Sequence, residues 1–244
     1  MQTIGLIGGM SWESTAVYYR RLNEQVRSRL GGLHSAEILM RSVNFDAIVN
    51  LQKQGRWDEA SAILAGIAQN LENGGAGCVL ICTNTMHKLA DEVQRAVSIP
   101  LLHIADVTAK AILAGGYRRP LLLATRYTME QDFYVQRLRD HFALAPIIPD
   151  ERDRTIIHDI IFDELCQGVV REQSRSLYLD VVARGKSRGA DCVILGCTEI
   201  CLLIGPDHID LPVFDSTALH ADAAVDFSMS KQTAHPRTMQ SVPS

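Results

Sequence analysis

The sequence predicts an α/β fold made of two similar open parallel-sheet domains related by a pseudo-two-fold axis, with the active site in the cleft between them. Three observations carry the prediction. First, one stretch occurs twice: Gly75-Ala76-Gly77-Cys78-Val79-Leu80-Ile81-Cys82-Thr83-Asn84-Thr85 returns as Gly189-Ala190-Asp191-Cys192-Val193-Ile194-Leu195-Gly196-Cys197-Thr198-Glu199, and Cys197 follows Thr83 at the same offset as Cys192 follows Cys78. Each copy is followed by an apolar segment opened by proline, Ile99-Pro100-Leu101-Leu102 and Leu211-Pro212-Val213-Phe214. A repeat of this length implies two similar supersecondary units. Second, short apolar runs alternate with helical patterns along the whole chain, as in Rossmann-like parallel sheets. Third, both copies end in small polar residues at the carboxyl end of an apolar strand, where open parallel sheets bind their ligands.

In chain order, Ile4 to Ile7 reads as a strand ending in the turn Gly8-Gly9-Met10-Ser11, followed by a helix with Tyr19, Leu22, Val26 and Leu30 at spacings of three or four. Glu37 to Val43 reads as the next strand, followed by a polar turn around Gln52, Gln54 and Gly55. Asp58 to Asn73 is a helix with Ile63, Leu64, Ile67 and Leu71 on its apolar face. The Cys78 strand, a helix from about Met86 and a strand at Leu101 complete the first half. The pattern restarts with a Pro120 to Ala124 strand and Thr125-Arg126-Tyr127-Thr128, which occupies the place of the first glycine-rich turn. Helices over 133–142, 155–165 and 173–187 precede the Cys192 and Val213 strands, and Ser216 to Met229 is a last helix packing through Ala218, Ala221 and Val225. We therefore expect one domain over 1–103 plus 209–229, a second over 104–208, and a disordered polar tail over 230–244.

At 47% hydrophobic and 21% charged, the 244-residue chain buries a sizeable core without metals or disulfides. A net charge of −4 gives no electrostatic reason to expect nucleic acid or an anionic membrane surface. No apolar run approaches the roughly 20 residues of a membrane span. The N-terminus runs straight into a strand without a signal-peptide pattern, and the six cysteines then fit free thiols in a reducing cytoplasm.

The chemistry concentrates in Cys82-Thr83-Asn84-Thr85-Met86-His87 and Gly196-Cys197-Thr198-Glu199. A thiol at a strand end, just before a helix, feels the positive end of the helix dipole, which lowers its pKa and favours thiolate. The first N–H groups of the same helices can cradle a carboxylate. Taken singly, such residues are more often helix caps; a matched pair points to a site. Cys78 and Cys192 lie inside strands and read as core residues, Cys166 and Cys201 as structural ones. The cysteine spacings are not those of a zinc site. His87 could tune a thiolate or serve as a cap. The turn Gly5-Leu6-Ile7-Gly8-Gly9-Met10 lacks the G-x-G-x-x-G spacing and carries no Walker lysine, so its glycines either admit a small ligand or simply make a tight turn. Gln52, Arg41 and Arg126 are further candidates for reaching a ligand.

On Ile4-Gly5-Leu6-Ile7-Gly8-Gly9-Met10-Ser11-Trp12-Glu13-Ser14-Thr15, Cys82-Thr83-Asn84-Thr85-Met86-His87 and Gly196-Cys197-Thr198-Glu199, the chain resembles the aspartate/glutamate racemase superfamily over residues 1–229. It is especially similar to the enterobacterial branch of L-aspartate/glutamate-specific or broad-specificity amino-acid racemases. The resemblance implies a cofactor-independent inversion of the α-carbon, in which one group removes the α-proton and another delivers a proton to the opposite face. It implies an amino-acid substrate, a homodimer, Cys197 as acid/base thiol, and Met10, Asn84, Thr85, Thr198 and Glu199 around the substrate, with Gln52 and Thr125 as further candidates. This chain departs from the family at Thr83, where most members carry cysteine in a Cys-Asn-Thr sequence. Cys82 stands one residue early, and strand alternation turns it away from the substrate. A hydroxyl is a far poorer proton carrier than a thiol, so such a site favours one enantiomer, and the resemblance suggests the L form. The same scaffold also serves single-thiol arylmalonate decarboxylases and maleate isomerases, and a third alternative is a non-catalytic amino-acid binder.

Overall fold

A computed structural model describes residues 1–230 of the chain. The first half runs β1 (Thr3–Gly8), α1 (Trp12–Leu30), β2 (Ile38–Ser42), α2 (Phe45–Lys53), α3 (Trp57–Asn73), β3 (Ala76–Ile81), a 3-10 segment (Thr85–Leu89), α4 (Ala90–Arg95) and α5 (Ile104–Ala114). The second runs β4 (Pro120–Ala124), α6 (Arg126–Glu130), α7 (Asp132–Phe142), α8 (Glu151–Asp163), a 3-10 turn (Leu165–Gln167), α9 (Glu172–Ser187), β5 (Cys192–Gly196), 3-10 segments Thr198–Leu202 and Pro206–His208, β6 (Val213–Asp215) and α10 (Ser216–Ser230). The tail expected over 230–244 lies outside the described residues except for Ser230, which closes α10.

Two parallel sheets result, in the orders β2-β1-β3 and β4-β5-β6. Single parallel bridges extend each: Leu101 joins Val79 beyond β3, and Ile147 joins Leu121 beyond β4. With these included, the two halves share one strand order, and the repeated stretches β3 and β5 occupy equivalent places. The expected strand at Leu101 is thus reduced to one bridge, while its repeat counterpart forms the full strand β6. β6 pairs with β5 in the second sheet. Residues 213–215, expected with the first half, therefore belong to the second sheet.

The halves exchange their last helices. α5 follows the Leu101 bridge but buries Ile104, Ala105, Ala109 and Ile112 in the core of the second half, with Leu122, Tyr134 and Ile194. α10 follows β6 and buries Ala221, Ala224 and Val225 against Ile4, Leu6, Tyr18 and Leu22 of the first half. Ion pairs from Arg21 to Asp222 and from Arg29 to Asp226 tie α1 to α10 from outside. Each half thus covers one face of the other's sheet, which holds the two sets of strand ends towards a common cleft.

Local departures from the expected pattern have local causes. In α1 the inward stripe is Tyr18, Leu22 and Val26, while Tyr19 and Leu30 face outward at 55% and 48% exposure. Ile63 of α3 likewise faces out at 41%, leaving Leu64, Ile67 and Leu71 inside. The polar turn expected around Gln52 is in fact α2: Asn44 caps it, its side-chain oxygen accepting from the Asp46 N–H at 3.2 Å, and Ile48, Leu51 and Gln52 form its buried stripe. α8 starts at Glu151 rather than at 155, because the Asp150 carboxylate caps it by accepting from the Asp153 N–H at 2.9 Å. The helix expected from Met86 begins as a 3-10 segment.

Candidate active site

The glycine turn after β1 is set by close packing. Gly9 has φ +89°, and a Cβ there would come within 2.3 Å of the Val43 carbonyl oxygen; one on Gly8 would come within 2.5 Å of the Thr15 methyl. The glycines bring the chain up to its own neighbours, and it is the following Met10 and Ser11 that reach the cleft.

One cavity of about 40 Å³ lies between the strand ends. Met10, Gln52, Thr83, Asn84, Thr85, Thr125, Cys197, Thr198 and Glu199 all line it. Residues with no place among the expected site residues complete the wall: Ser11, Ser14, Phe45, Met86, Ile161, Phe162 and Cys166. For Ser11 and Ser14 a signal existed in the cap-like Ser-x-x-Ser before an apolar helix. For Ile161 and Phe162 there was none beyond helical periodicity. Arg41 is exposed on β2 and does not line the cavity, and Arg126 is occupied outside it with Thr155 and Glu130. Cys166, expected to be structural, borders the cavity; Cys201 is exposed.

Cys82 is fully buried in the first-half core with Ile4, Leu6 and Tyr18, on the opposite side of the strand end from Thr83. Burial pushes its thiol pKa well up. Cys197 lines the cavity and its Sγ–H donates to Glu199 Oε2 at 2.9 Å; Ser11 Oγ, from the first half, donates to Oε1 at 2.5 Å. The dipole argument for a ready thiolate does not hold here. Burial, and after it the neighbouring Glu199 charge, hold the Cys197 thiol well above its ordinary range. The helix that follows is only the five-residue 3-10 segment Thr198–Leu202, too short to offset a carboxylate in direct contact. The resting group is a thiol hydrogen-bonded to a carboxylate, a pair between which a proton can pass.

His87 is fully committed to the scaffold. Ile104 N–H donates to its Nε2 at 3.2 Å, so Nδ1 carries the proton and donates to the Thr83 carbonyl at 2.8 Å. Burial and the adjacent His103 keep its pKa well below the ordinary histidine value. It thus holds the Thr83 turn against the start of α5.

Two hydroxyl clusters bridge the halves. Thr85 meets Thr125 at 2.9 Å and Thr128 at 3.3 Å, while Ser14 meets Thr198 at 2.7 Å and Thr198 meets Thr217 at 2.9 Å. Asn84 donates from Nδ2 to Ser216 Oγ at 3.1 Å, and Ser216 donates onward to the Leu195 carbonyl at 2.8 Å. That orientation leaves Asn84 Oδ1 buried and without a hydrogen-bond partner among the described residues. A buried acceptor in this state lacks a donor, and a bound ammonium group would supply one. Glu199 is the only Asp, Glu, Lys, Arg or His among the residues lining the cavity. Among the described residues no group of three or more His, Cys, Asp or Glu could hold a metal ion, and no helix is long and apolar enough to cross a membrane.

The Asp/Glu/hydantoin racemase family model matches residues 7–224. The broad-specificity amino-acid racemase RacX of Bacillus subtilis is 23% identical over 233 residues, covering 94% of this chain and 100% of its own. Among solved structures, a Yersinia pestis chain assigned to the Asp/Glu racemases is 48% identical with a TM-score of 0.89, covering 93% of this chain and 99% of that one. PH1733, an aspartate racemase homologue from Pyrococcus horikoshii OT3, is 33% identical with a TM-score of 0.82, at coverages of 93% and 99%. Together with the duplicated sheets and the strand-end cavity between them, these matches establish that the chain belongs to the Asp/Glu/hydantoin racemase family.

Proposed function

We propose that this protein is a cofactor-independent amino-acid racemase, acting on aspartate, glutamate or a broader set, with Cys197 as its thiol acid/base and Thr83 at the opposing position. The observation that supports it most directly is the pairing of Cys197 with Glu199 at one strand end, across one cavity from Thr83 at the matched strand end. Inverting an α-carbon needs proton carriers on its two faces, and the repeat offers one from each half.

In this proposal the substrate ammonium donates to Asn84 Oδ1, and the hydroxyls of Thr85 and Thr125, backed by Thr128, donate to the α-carboxylate. Met10, Gln52 and Thr198 complete the enclosure. Cys197 passes its thiol proton to Glu199, which already accepts it in a hydrogen bond, and the thiolate removes the α-proton. The positive charge of the bound ammonium offsets the Glu199 charge that otherwise opposes thiolate. Return of a proton from the opposite side falls to Thr83, with water, and is the slower half of the reaction because a hydroxyl is a weak acid. Exchange of the α-proton on the face that Cys197 serves, expected to be that of the L form, is then faster than inversion. A homodimer in the cytoplasm is part of the same proposal.

Proton NMR of the protein in heavy water, without added metal or cofactor, tests it against a panel of L- and D-amino acids with aspartate and glutamate first. Loss of the α-proton signal with appearance of the other enantiomer supports a racemase. Release of carbon dioxide from an arylmalonate, or fumarate from maleate, would replace it with the decarboxylase or isomerase. Thermal stabilisation by amino acids without exchange would replace it with a binder.

A further inference from the structure

The cavity of about 40 Å³ at the strand ends is small for a whole amino acid. A second cavity of about 200 Å³ lies directly beside it, between α2 of the first half and α6 and α8 of the second. Val49 and Lys53 bound it on one side, Tyr127 and His158 on the other. Gln52 and Phe162 line both cavities. The partition between the two spaces is therefore made of side chains.

Its two members are held unequally. Gln52 Nε2 donates to Met86 Sδ at 2.8 Å, which fixes the amide and leaves Oε1 with no hydrogen bond among the described residues. Phe162 is half-buried and lies against the His158 ring, centroids 4.8 Å apart. The ring packs at the edge of the second-half core and is the member of the partition that no hydrogen bond holds.

Geometry assigns the remaining direction. On the proposed racemase reading, the α-carboxylate and ammonium occupy the hydroxyl clusters and Asn84, and the α-hydrogen lies on the line between Thr83 and Cys197. The fourth substituent leaves by the wall of Phe45, Met86, Ile161, Phe162 and Gln52. Glu199 is the only Asp, Glu, Lys, Arg or His around the inner cavity, and both of its oxygens already accept hydrogen bonds, from Ser11 and Cys197, so a charged or strongly polar side-chain end would be desolvated there without a free partner, at high cost. In the outer cavity it meets Lys53, Asp159, Asp163 and solvent.

We propose that the outer cavity is a side-chain subsite, entered between Gln52 and Phe162, that admits amino acids with long, unbranched side chains carrying a polar end, and that Phe162 sets the accepted length. This deepens the racemase reading and rests on it for the orientation of the substrate.

The test measures both binding, by calorimetry, and α-proton exchange for a straight-chain series: alanine, norvaline, norleucine, ornithine and lysine. Phe162→Ala is expected to raise the ratio of long to short substrates about tenfold, the scale on which pockets discriminate a methylene or two. Phe162→Trp is expected to lower the same ratio. Each variant is judged by a ratio of its own, so damage to folding cancels, and the two substitutions must act in opposite directions. Ratios that stay within twofold of the parent in both variants would overturn the subsite. Binding ratios that move as expected without exchange by any amino acid would keep the subsite and overturn the racemase reading.

Discussion

The two halves use the same strand-to-turn device and put different chemistry on it. At the end of β3 the repeated positions are Thr83, Asn84 and Thr85; at the end of β5 they are Cys197, Thr198 and Glu199. In the first half every one of these groups is neutral and tied to scaffold or hydroxyl: the Thr83 carbonyl to His87, the Asn84 amide to Ser216, the Thr85 hydroxyl to Thr125. In the second half a thiol and a carboxylate share a proton-bearing contact, and the first half reaches over through Ser11 to hold the carboxylate. Duplication supplies two matched strand ends, while substitution at all three matched positions supplies the asymmetry. Symmetry of fold does not imply symmetry of proton chemistry.

The comparison can be broken most directly at the thiol. Cys197→Ser is expected to lower α-proton exchange by about 10³-fold or more, within the range that positioned acid–base groups contribute; exchange at the parent rate in the NMR assay would remove Cys197 from the mechanism. Glu199→Gln keeps the shape but removes the proton acceptor, and a loss of about 10²-fold is expected. The sign of its pH effect follows from the cause of the thiol's high pKa. Glu199 contributes to that elevation after burial, so its neutralisation lets the thiol ionise at lower pH. The rising limb of the exchange rate should move to lower pH while its plateau falls, and an unmoved limb would mean that Glu199 does not sense the thiol. Thr83→Cys makes the halves alike; a gain of about tenfold in inversion is expected, read as a more even ratio of inversion to α-proton exchange. No gain would mean that Thr83 does not face the α-carbon.

The first half's own titratable groups sharpen the contrast by belonging to stability. His87, His103 and His220 meet where α5 and α10 cross, with His87 centroids 4.7 Å from His103 and 5.6 Å from His220. His220 accepts from the Tyr18 hydroxyl at Nδ1 and donates from Nε2 to the Leu102 carbonyl. Asp106, Arg137 and His141 are the charged or titratable groups that act on this cluster from α5 and α7. Burial is the main cause that lowers all three, His103 to about 2 and His220 to about 3. Their folded-state values lie below the unfolded value of about 6.5, so the unfolded chain binds more protons as pH falls through that value. They cost nothing above it. Below it, each histidine removes at most about 1.4 kcal/mol of stability per pH unit, down to the folded-state pKa. Urea unfolding at pH 7 and pH 4.5 should show this loss, and His220→Asn should make it shallower. An exchange rate that follows a histidine titration in this window would instead bring the cluster into the chemistry.

Much of the fold was legible because it follows from local rules. The alternation of apolar runs and helical periodicity marks the elements, and the duplicated Gly-Ala…Cys-Val stretches mark the two halves. Strand alternation places Cys82 and Thr83 on opposite sides of one strand end, as they stand in the structure. The polar turn expected around Gln52 failed because Asn44 starts a helix there that no neighbouring periodicity announces strongly. Strand Val213–Asp215 was placed with the wrong half because pairing partners are chosen across the fold. Ser11 caps α1, its Oγ accepting from the Ser14 N–H, while the contacts of Ser11 with Glu199 and of Ser14 with Thr198 need the other half in place.

The sequence by itself therefore determined the order of elements, the repeat, and which residues stand at the carboxyl ends of β3 and β5. Only the tertiary structure decided that Val213–Asp215 pairs with β5, that His87 has both ring nitrogens committed, that Asn84 Oδ1 is buried with no hydrogen-bond partner among the described residues, and that Cys197 rests as a thiol. The physical reason is range. Backbone propensity and side-chain alternation act over a few residues, whereas the state of a proton depends on burial and on charges brought within a few ångströms by chain that is far away in sequence.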